Sequence, residues 1–274
     1  MKQKTKQIKI PKSLIAKLLK KREELLQNSV VLEETSKIVK ESTGYEEAIS
    51  EKEIANLICV FSMYQKIIKN IFSSNTKGHQ EHRFFKEIEK IVSKYHWDTL
   101  DFSTQEIEYL QRKKESSKNS TNFMKDFFQE YTHEFDKEEA KAKGVWYTPQ
   151  EIVDFMIEST DVLLQQEFGV NIGTEQVKII EPFAGTGGFI TSILDYIAKV
   201  YPDSLEQKYK DIYGQELMVV PFFLMILNVE YTYHELTGMW RTFKNASLVD
   251  TFTTYKTAFD GGGNGDSKKQ LELM

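Results

Sequence analysis

The run VKIIEPFAGTGGF, Val177 to Phe189, leaves few folds open to this chain. Val177, Ile179 and Ile180 form a short apolar stretch rich in β-branched residues, and such a stretch predicts a buried strand. Glu181 and Pro182 follow, then the small-residue turn Ala184-Gly185-Thr186-Gly187-Gly188. Phe189, Ile190, Ile193, Leu194 and Ile197 then recur at helical spacing, so a helix begins where the turn ends. A strand, a glycine turn and a helix in this order open a parallel α/β sheet. Ligands in such sheets sit at the carboxyl ends of the strands.

The turn narrows the ligand class. A phosphate-binding loop needs Gly-Lys-Ser/Thr, and the turn has no lysine. A dinucleotide fingerprint needs three glycines as G-x-G-x-x-G, whereas Gly185, Gly187 and Gly188 give G-x-G-G. Glu181, at the strand tip, repels a pyrophosphate and attracts a cation or hydroxyl donors. An adenosine with a positive centre and no phosphate suits that acid, and S-adenosylmethionine meets the description. A plain turn joining strand to helix in any α/β protein remains the alternative for the glycines alone.

Two flanking segments bear on that choice. Downstream, Asp211-Ile212-Tyr213-Gly214-Gln215-Glu216 predicts a second short strand ending in an acid, with room for one crossover helix before it. An acid at a second strand tip is the usual partner of ribose hydroxyls. Upstream, GVWYTP at 144–149 precedes a helix with Ile152, Val153, Phe155, Met156 and Ile157 apolar. Thr148 is its expected N-cap and Pro149 its first helical residue.

GVWYTP, then EPFAGTGGF, then IYGQELM resemble the adenine-specific N6 DNA methyltransferases of restriction–modification systems. The likeness is to the type IIG and ISP single-chain enzymes and to type I modification subunits. The three motifs stand in the family's order over about residues 120–255, and Trp146 replaces the commoner aromatic. The resemblance implies a Rossmann-like class I S-adenosylmethionine-dependent methyltransferase fold, α/β with an incomplete parallel sheet, preceded by an all-α domain. It also implies roles. Tyr147, Thr148 and Pro149 would wrap the methionine end of S-adenosylmethionine. Glu181 would bind the ammonium or its water, and Phe183 would pack on apolar edges. Within Ala184, Gly185, Thr186 and Gly187, the two glycines would let the backbone approach the cofactor. Glu216 would hold the ribose, Leu217 would lie against the adenine ring, and Asp250 would accept from the adenine amino group. No metal site is expected.

The rest of the chain sets limits. It has 274 residues, enough for one or two domains with a sizeable core. Its net charge of −5 carries no basic signature of a nucleic-acid binder. The single cysteine, Cys59, sits in the apolar run Leu57–Phe61 and reads as a buried thiol. No signal-peptide or membrane-spanning pattern occurs, so a cytoplasmic protein is expected. Residues 1–121 read as a helical, coupler-like domain. Lys17, Lys20, Lys21 and Arg22 would form a solvated face or, less simply, touch a DNA backbone. A second helix opens with a capping box at Ser50 and Glu53, and its apolar stripe runs from Ile54 to Ile68. A third covers Phe84 to Tyr95. His79, His82 and His96 lack metal-ligand spacing. The polar stretch 113–121 is an expected linker. Residues 122–260 are the expected cofactor-binding domain, entered through an aromatic helix from Phe123 to Phe135. Within it, Pro221–Glu235 predicts a buried helix and Thr242–Leu248 a third strand. Residues 261–274 form a polar, glycine-rich tail.

One family motif is absent from the sequence. Methylating adenine N6 requires a flipped base held by stacking and hydrogen bonds, which the family provides through Asn/Asp-Pro-Pro-Tyr/Phe. The prolines here stand at 11, 149, 182, 202 and 221, none adjacent. The expectation is the amino-terminal, cofactor-binding part of an adenine methyltransferase, with double-stranded DNA as the eventual partner and a second chain as one source of the missing motif. An inactive scaffold of the same fold is the alternative, and a methyltransferase of another substrate class is the weaker one. Gly261-Gly262-Gly263 is either a flexible loop or the trace of a frame-shift in a guanine run.

Overall fold

The computed structural model describes residues 9–71, 83–97, 100–116, 127–128, 130–131 and 148–253. The chain divides into two compact units, Met1–Trp146 and Tyr147–Met274. The expectations for the loop at 75–78, for His79 and His82, for Gly144–Tyr147 and for the tail fall outside the described residues.

The first unit is helical: α1 Lys12–Leu26, α2 Ser29–Thr43, α3 Glu51–Ile71, α4 Arg83–Lys94 and α5 Thr104–Ser116. α3 is its centre, and α1, α2, α4 and α5 all pack on it. Its stripe Ile54, Leu57, Ile58, Phe61, Tyr64 and Ile67 is buried as the spacing predicts, and the Ser50 hydroxyl accepts from the Glu53 amide at 3.2 Å. Cys59 lies within this core, and burial pushes its thiol up to about 12. α2 is a separate helix because Asn28 caps it, accepting from the Val31 amide, and Gly44 ends it at φ +73°. On α4, Phe85, Ile88, Ile91 and Val92 point inward, and His96 beyond it is exposed.

The basic face of α1 is solvated only in part: Lys20 is exposed, whereas Lys17 and Lys21 are held by acceptors from other segments. Lys17 pairs at 2.6 Å with Glu106, a fully buried carboxylate that also accepts from Ser13 and the Ser103 amide. Lys21 is buried, with its ammonium donating to the Trp97 carbonyl. Lysines on one helix face look alike in sequence; the acceptors that hold two of them lie on distant segments. The expected linker also begins as structure, because Lys113–Ser116 complete α5 and Lys113 pairs with Glu130. Glu130 accepts from the Ile10 amide as well, and Phe127 packs on Tyr109. The described aromatics Phe127, Phe128 and Tyr131 are therefore packing residues of the helical unit.

The second unit is an α/β layer: α6 Gln150–Phe168, β1 Ile179–Glu181, α7 Gly188–Val200, α8 Leu205–Asp211, β2 Ile212–Glu216, α9 Val219–Thr237 and β3 Ala246–Leu248. The described strands are parallel in the order β1-β2-β3. The register sets Ile179 beside Ile212 and Glu216 beside Leu248. β1 reads as a buried strand by composition, and the incomplete sheet leaves it at an edge as the few placeable strands imply, with Ile180 42% exposed. Its apolar residues are those of a strand flanked on both sides, but among the described residues only β2 pairs with it. α6 starts at Gln150 with Pro149 as N-cap; Thr148 makes no cap, and the Pro149 carbonyl accepts from Ile152 and Val153. Only Val153 and Ile157 of its early apolar residues are buried, while Ile152, Phe155 and Met156 are exposed. Asp161 fastens α6 to α7 by accepting from Tyr196, from Tyr201 just beyond α7, and from the Ile172 amide.

α7 and α9 pack on each other beside β2, with no slack at Gly214. A Cβ there would stand 2.6 Å from Met225 Sδ and 2.8 Å from Ile190 Cδ1. Both atoms end flexible side chains, so repacking limits the damage. Gly214→Ala is expected to cost about 1–3 kcal/mol, the range for overpacking a core, measured by urea denaturation. An unchanged midpoint would show that the layer is looser than described.

Candidate functional site at the strand tips

The carboxyl ends of β1 and β2 carry Glu181 and Glu216, with the glycine turn between them in sequence and space. The turn needs its glycines for backbone reasons. Gly185 sits at φ +55° and Gly187 at φ +82°, the left-handed region that favours glycine. At Gly185 a Cβ would meet nothing within 4 Å. At Gly187 it would meet the Met225 main chain at 3.3 Å. The family resemblance implies one purpose for both glycines, room for the cofactor. In the fold Gly187 makes room for α9, and only Gly185 borders open space.

Glu216 is 8% exposed, and both its oxygens are engaged. Oε2 accepts from the Gly185 amide at 2.8 Å, and Oε1 accepts from the Met218 amide at 2.8 Å. The Ala184 amide donates to the Gln215 carbonyl at 2.9 Å. The β2 tip thus holds the turn leaving β1. A carboxylate accommodates about four donors, so these two amides do not exclude ribose hydroxyls.

Glu181 is in a different position. It accepts from the Phe183 amide at 3.2 Å, and among the described residues no cation stands beside it. Burial pushes its carboxyl above the ordinary carboxylate range, and the Phe183 hydrogen bond only partly offsets this. A half-buried carboxylate without a counter-charge favours a ligand that brings one.

The remaining expected residues divide. Phe183, 59% exposed, and Leu217 offer apolar surface at the strand tips, while Ala184 and Thr186 are buried in the turn. Thr148 and Pro149 are exposed at the start of α6, and Tyr147 lies outside the described residues. Asp250 caps the turn of helix after β3, accepting from the Phe252 and Thr253 amides and the Thr253 hydroxyl.

Several residues here escaped the sequence reading. Phe252, 75% exposed, stacks at 5.4 Å on Phe183, and the pair forms an aromatic wall beside the tips. Thr251 brings the two together, because its hydroxyl donates to the Pro182 carbonyl at 2.6 Å. Asn228, within α9, donates to the Thr186 carbonyl at 2.8 Å. A lone amide in an otherwise apolar helical run was the available signal for Asn228. Nothing local marks Thr251 or Phe252.

Solved structures share this architecture. The DrdV–DNA complex aligns over 90% of this chain at TM-score 0.69 and 24% identity. A nuclease-deletion mutant of the type ISP restriction-modification enzyme LlaGI, with a DNA substrate mimic, aligns over 95% at 0.65 and 20%. The ATP-dependent type ISP enzyme LlaBIII, bound to DNA, aligns over 95% at 0.63 and 20%. The chain spans only 25%, 23% and 19% of these respective proteins. At such identities the likeness shows the fold alone, an α/β layer with a parallel sheet, preceded in sequence by helices. No curated protein matches the chain significantly. The family model for N-6 DNA methylase matches residues 119–259, just over half of the chain, and the chain belongs to that family.

Proposed function

We propose that the strand tips bind S-adenosylmethionine, and that the chain is the cofactor-binding part of an adenine-N6 DNA methyltransferase in a restriction–modification system. The observation that carries this reading is the pair of strand-tip acids around the turn: Glu216 ordered by two backbone amides, Glu181 desolvated with no cation beside it among the described residues. S-adenosylmethionine brings an ammonium and a sulfonium to Glu181, and its methyl group on sulfur is the electrophile of the reaction. Glu216 takes the ribose hydroxyls. Phe183, Phe252 and Leu217 supply apolar surface for the adenine. The first turn of α7 carries no acid, so its free amides suit the ligand carboxylate.

DNA is the proposed partner, in keeping with the DNA-bound structures that share the fold. The base-holding motif is not recognisable in the sequence, so a second chain or further sequence supplies it. The isolated chain is accordingly expected to transfer no methyl group to mixed-sequence DNA in a tritium-incorporation assay. Clear incorporation would reveal a base-holding loop that the sequence does not advertise.

Titration calorimetry tests the site itself. Glu216→Ala and Glu181→Gln should each weaken S-adenosylmethionine binding by about tenfold or more, the loss of a charge-assisted contact. Binding equal to wild type would remove the assigned role, and no binding even by the wild-type chain would favour an inactive scaffold.

Glu181 also sets a pH dependence. Its folded pKa is raised, so the ligand-free fold is favoured while the group is protonated. Stability then falls as pH rises from the ordinary carboxylate range through the raised value. Glu181→Gln removes this loss. The variant's gain in melting temperature over wild type should be larger at pH 7.5 than at pH 4. A gain that does not change with pH would contradict the desolvation of Glu181.

A further inference from the structure

We infer that Asn228 is a positioning residue, one that fixes the glycine turn from beneath so that the turn stands formed before any ligand arrives. Two contacts hold the turn on the strand side, Gly185 to Glu216 and Ala184 to the Gln215 carbonyl, and a third closes it on itself, Gly187 to the Ala184 carbonyl at 2.8 Å. The Thr186 carbonyl is held instead from α9, where Asn228 Nδ2 donates to it. Thr186 is 3% exposed, so its carbonyl needs a partner within the protein. α9 is close enough to supply one, since the Met225 main chain already lies against Gly187.

Asn228 is a costly residue to place here. It is 1% exposed and lies between Phe222–Leu227 and Val229, all buried apolar side chains. Its orientation is fixed, because a carbonyl partner accepts only from the amide nitrogen. That orientation leaves its Oδ1 buried without a partner among the described residues, as is the Thr186 hydroxyl. Leucine at 228 would exchange one orphan for another: Oδ1 disappears and the Thr186 carbonyl loses its donor. It would also add apolar packing. The stability of the layer is therefore nearly indifferent to the exchange, whereas the turn loses its lower anchor. An amide that contributes little to overall stability and fixes one carbonyl of a binding turn serves the turn.

The test uses the full chain and two independent readouts. Amide hydrogen exchange at Gly187, without ligand, should be about tenfold faster in Asn228→Leu than in wild type, the loss of one hydrogen bond's worth of protection. The melting temperature should stay close to that of wild type. S-adenosylmethionine affinity should fall by about tenfold. If the leucine variant does not fold, Asn228→Ala removes the donor without adding bulk and gives the same exchange readout. Unchanged exchange at Gly187 in a folded variant overturns the inference. So does a fall in melting temperature with affinity unchanged, since that is a purely structural role. The affinity readout rests on the cofactor reading. If wild type does not bind, that reading fails while the exchange readout still decides the role of Asn228.

Discussion

The second unit depends on one carboxylate gripping another strand's turn. Glu216 ends β2, and it takes the Gly185 amide from the turn that leaves β1. The two strands pair over only Ile179–Glu181 and Ile212–Gly214, which is little backbone to fix the geometry beyond it. The side chain extends the joint past the last paired residue. Its second contact, to the Met218 amide, ties the same group to the start of α9. Strand tip, glycine turn and helix entry are thereby set relative to one another by hydrogen bonds to one charged group, which are stronger than bonds between neutral partners.

α9 completes the frame from below. Its buried face receives Gly187 and Thr186 at one end, and Glu230 accepts from the Phe243 amide on the path to β3. Thr251 then returns the chain to the Pro182 carbonyl. The site is thus held by polar contacts between segments far apart in sequence, set in an apolar layer. Within it Glu181 is the unmet demand: the fold desolvates it and places no cation beside it among the described residues. Binding energy from a cationic ligand has an evident place to act.

Much of this was legible in the sequence because it is local. The β-branched run, the G-x-G-G turn and the spacing from Phe189 to Ile197 lie within one short stretch, and the structure has β1 and α7 there. Pro221–Glu235 likewise carried enough apolar density to give α9, and Thr242–Leu248 contained β3. What escaped depends on distant partners. Lys21 is buried because Trp97 offers a carbonyl, and Lys17 is held because Glu106 is buried beside it. Neither fact is written near α1. The edge position of β1, by contrast, follows from how few strands the sequence allows. That α9 stands behind Gly187 is not written in the turn. Asn228 was passed over as part of an apolar helix, though a single amide in such a run is a question the sequence does pose.

The central claim is that S-adenosylmethionine lies across the tips of β1 and β2. A crystal structure of the chain grown with the cofactor tests this most directly. The account predicts ribose hydroxyls within hydrogen-bonding distance of Glu216, the ammonium facing Glu181, and a glycine turn unmoved from its ligand-free form. Cofactor bound elsewhere on the chain, or a glycine turn rebuilt around it with Gly185 released from Glu216, would contradict it.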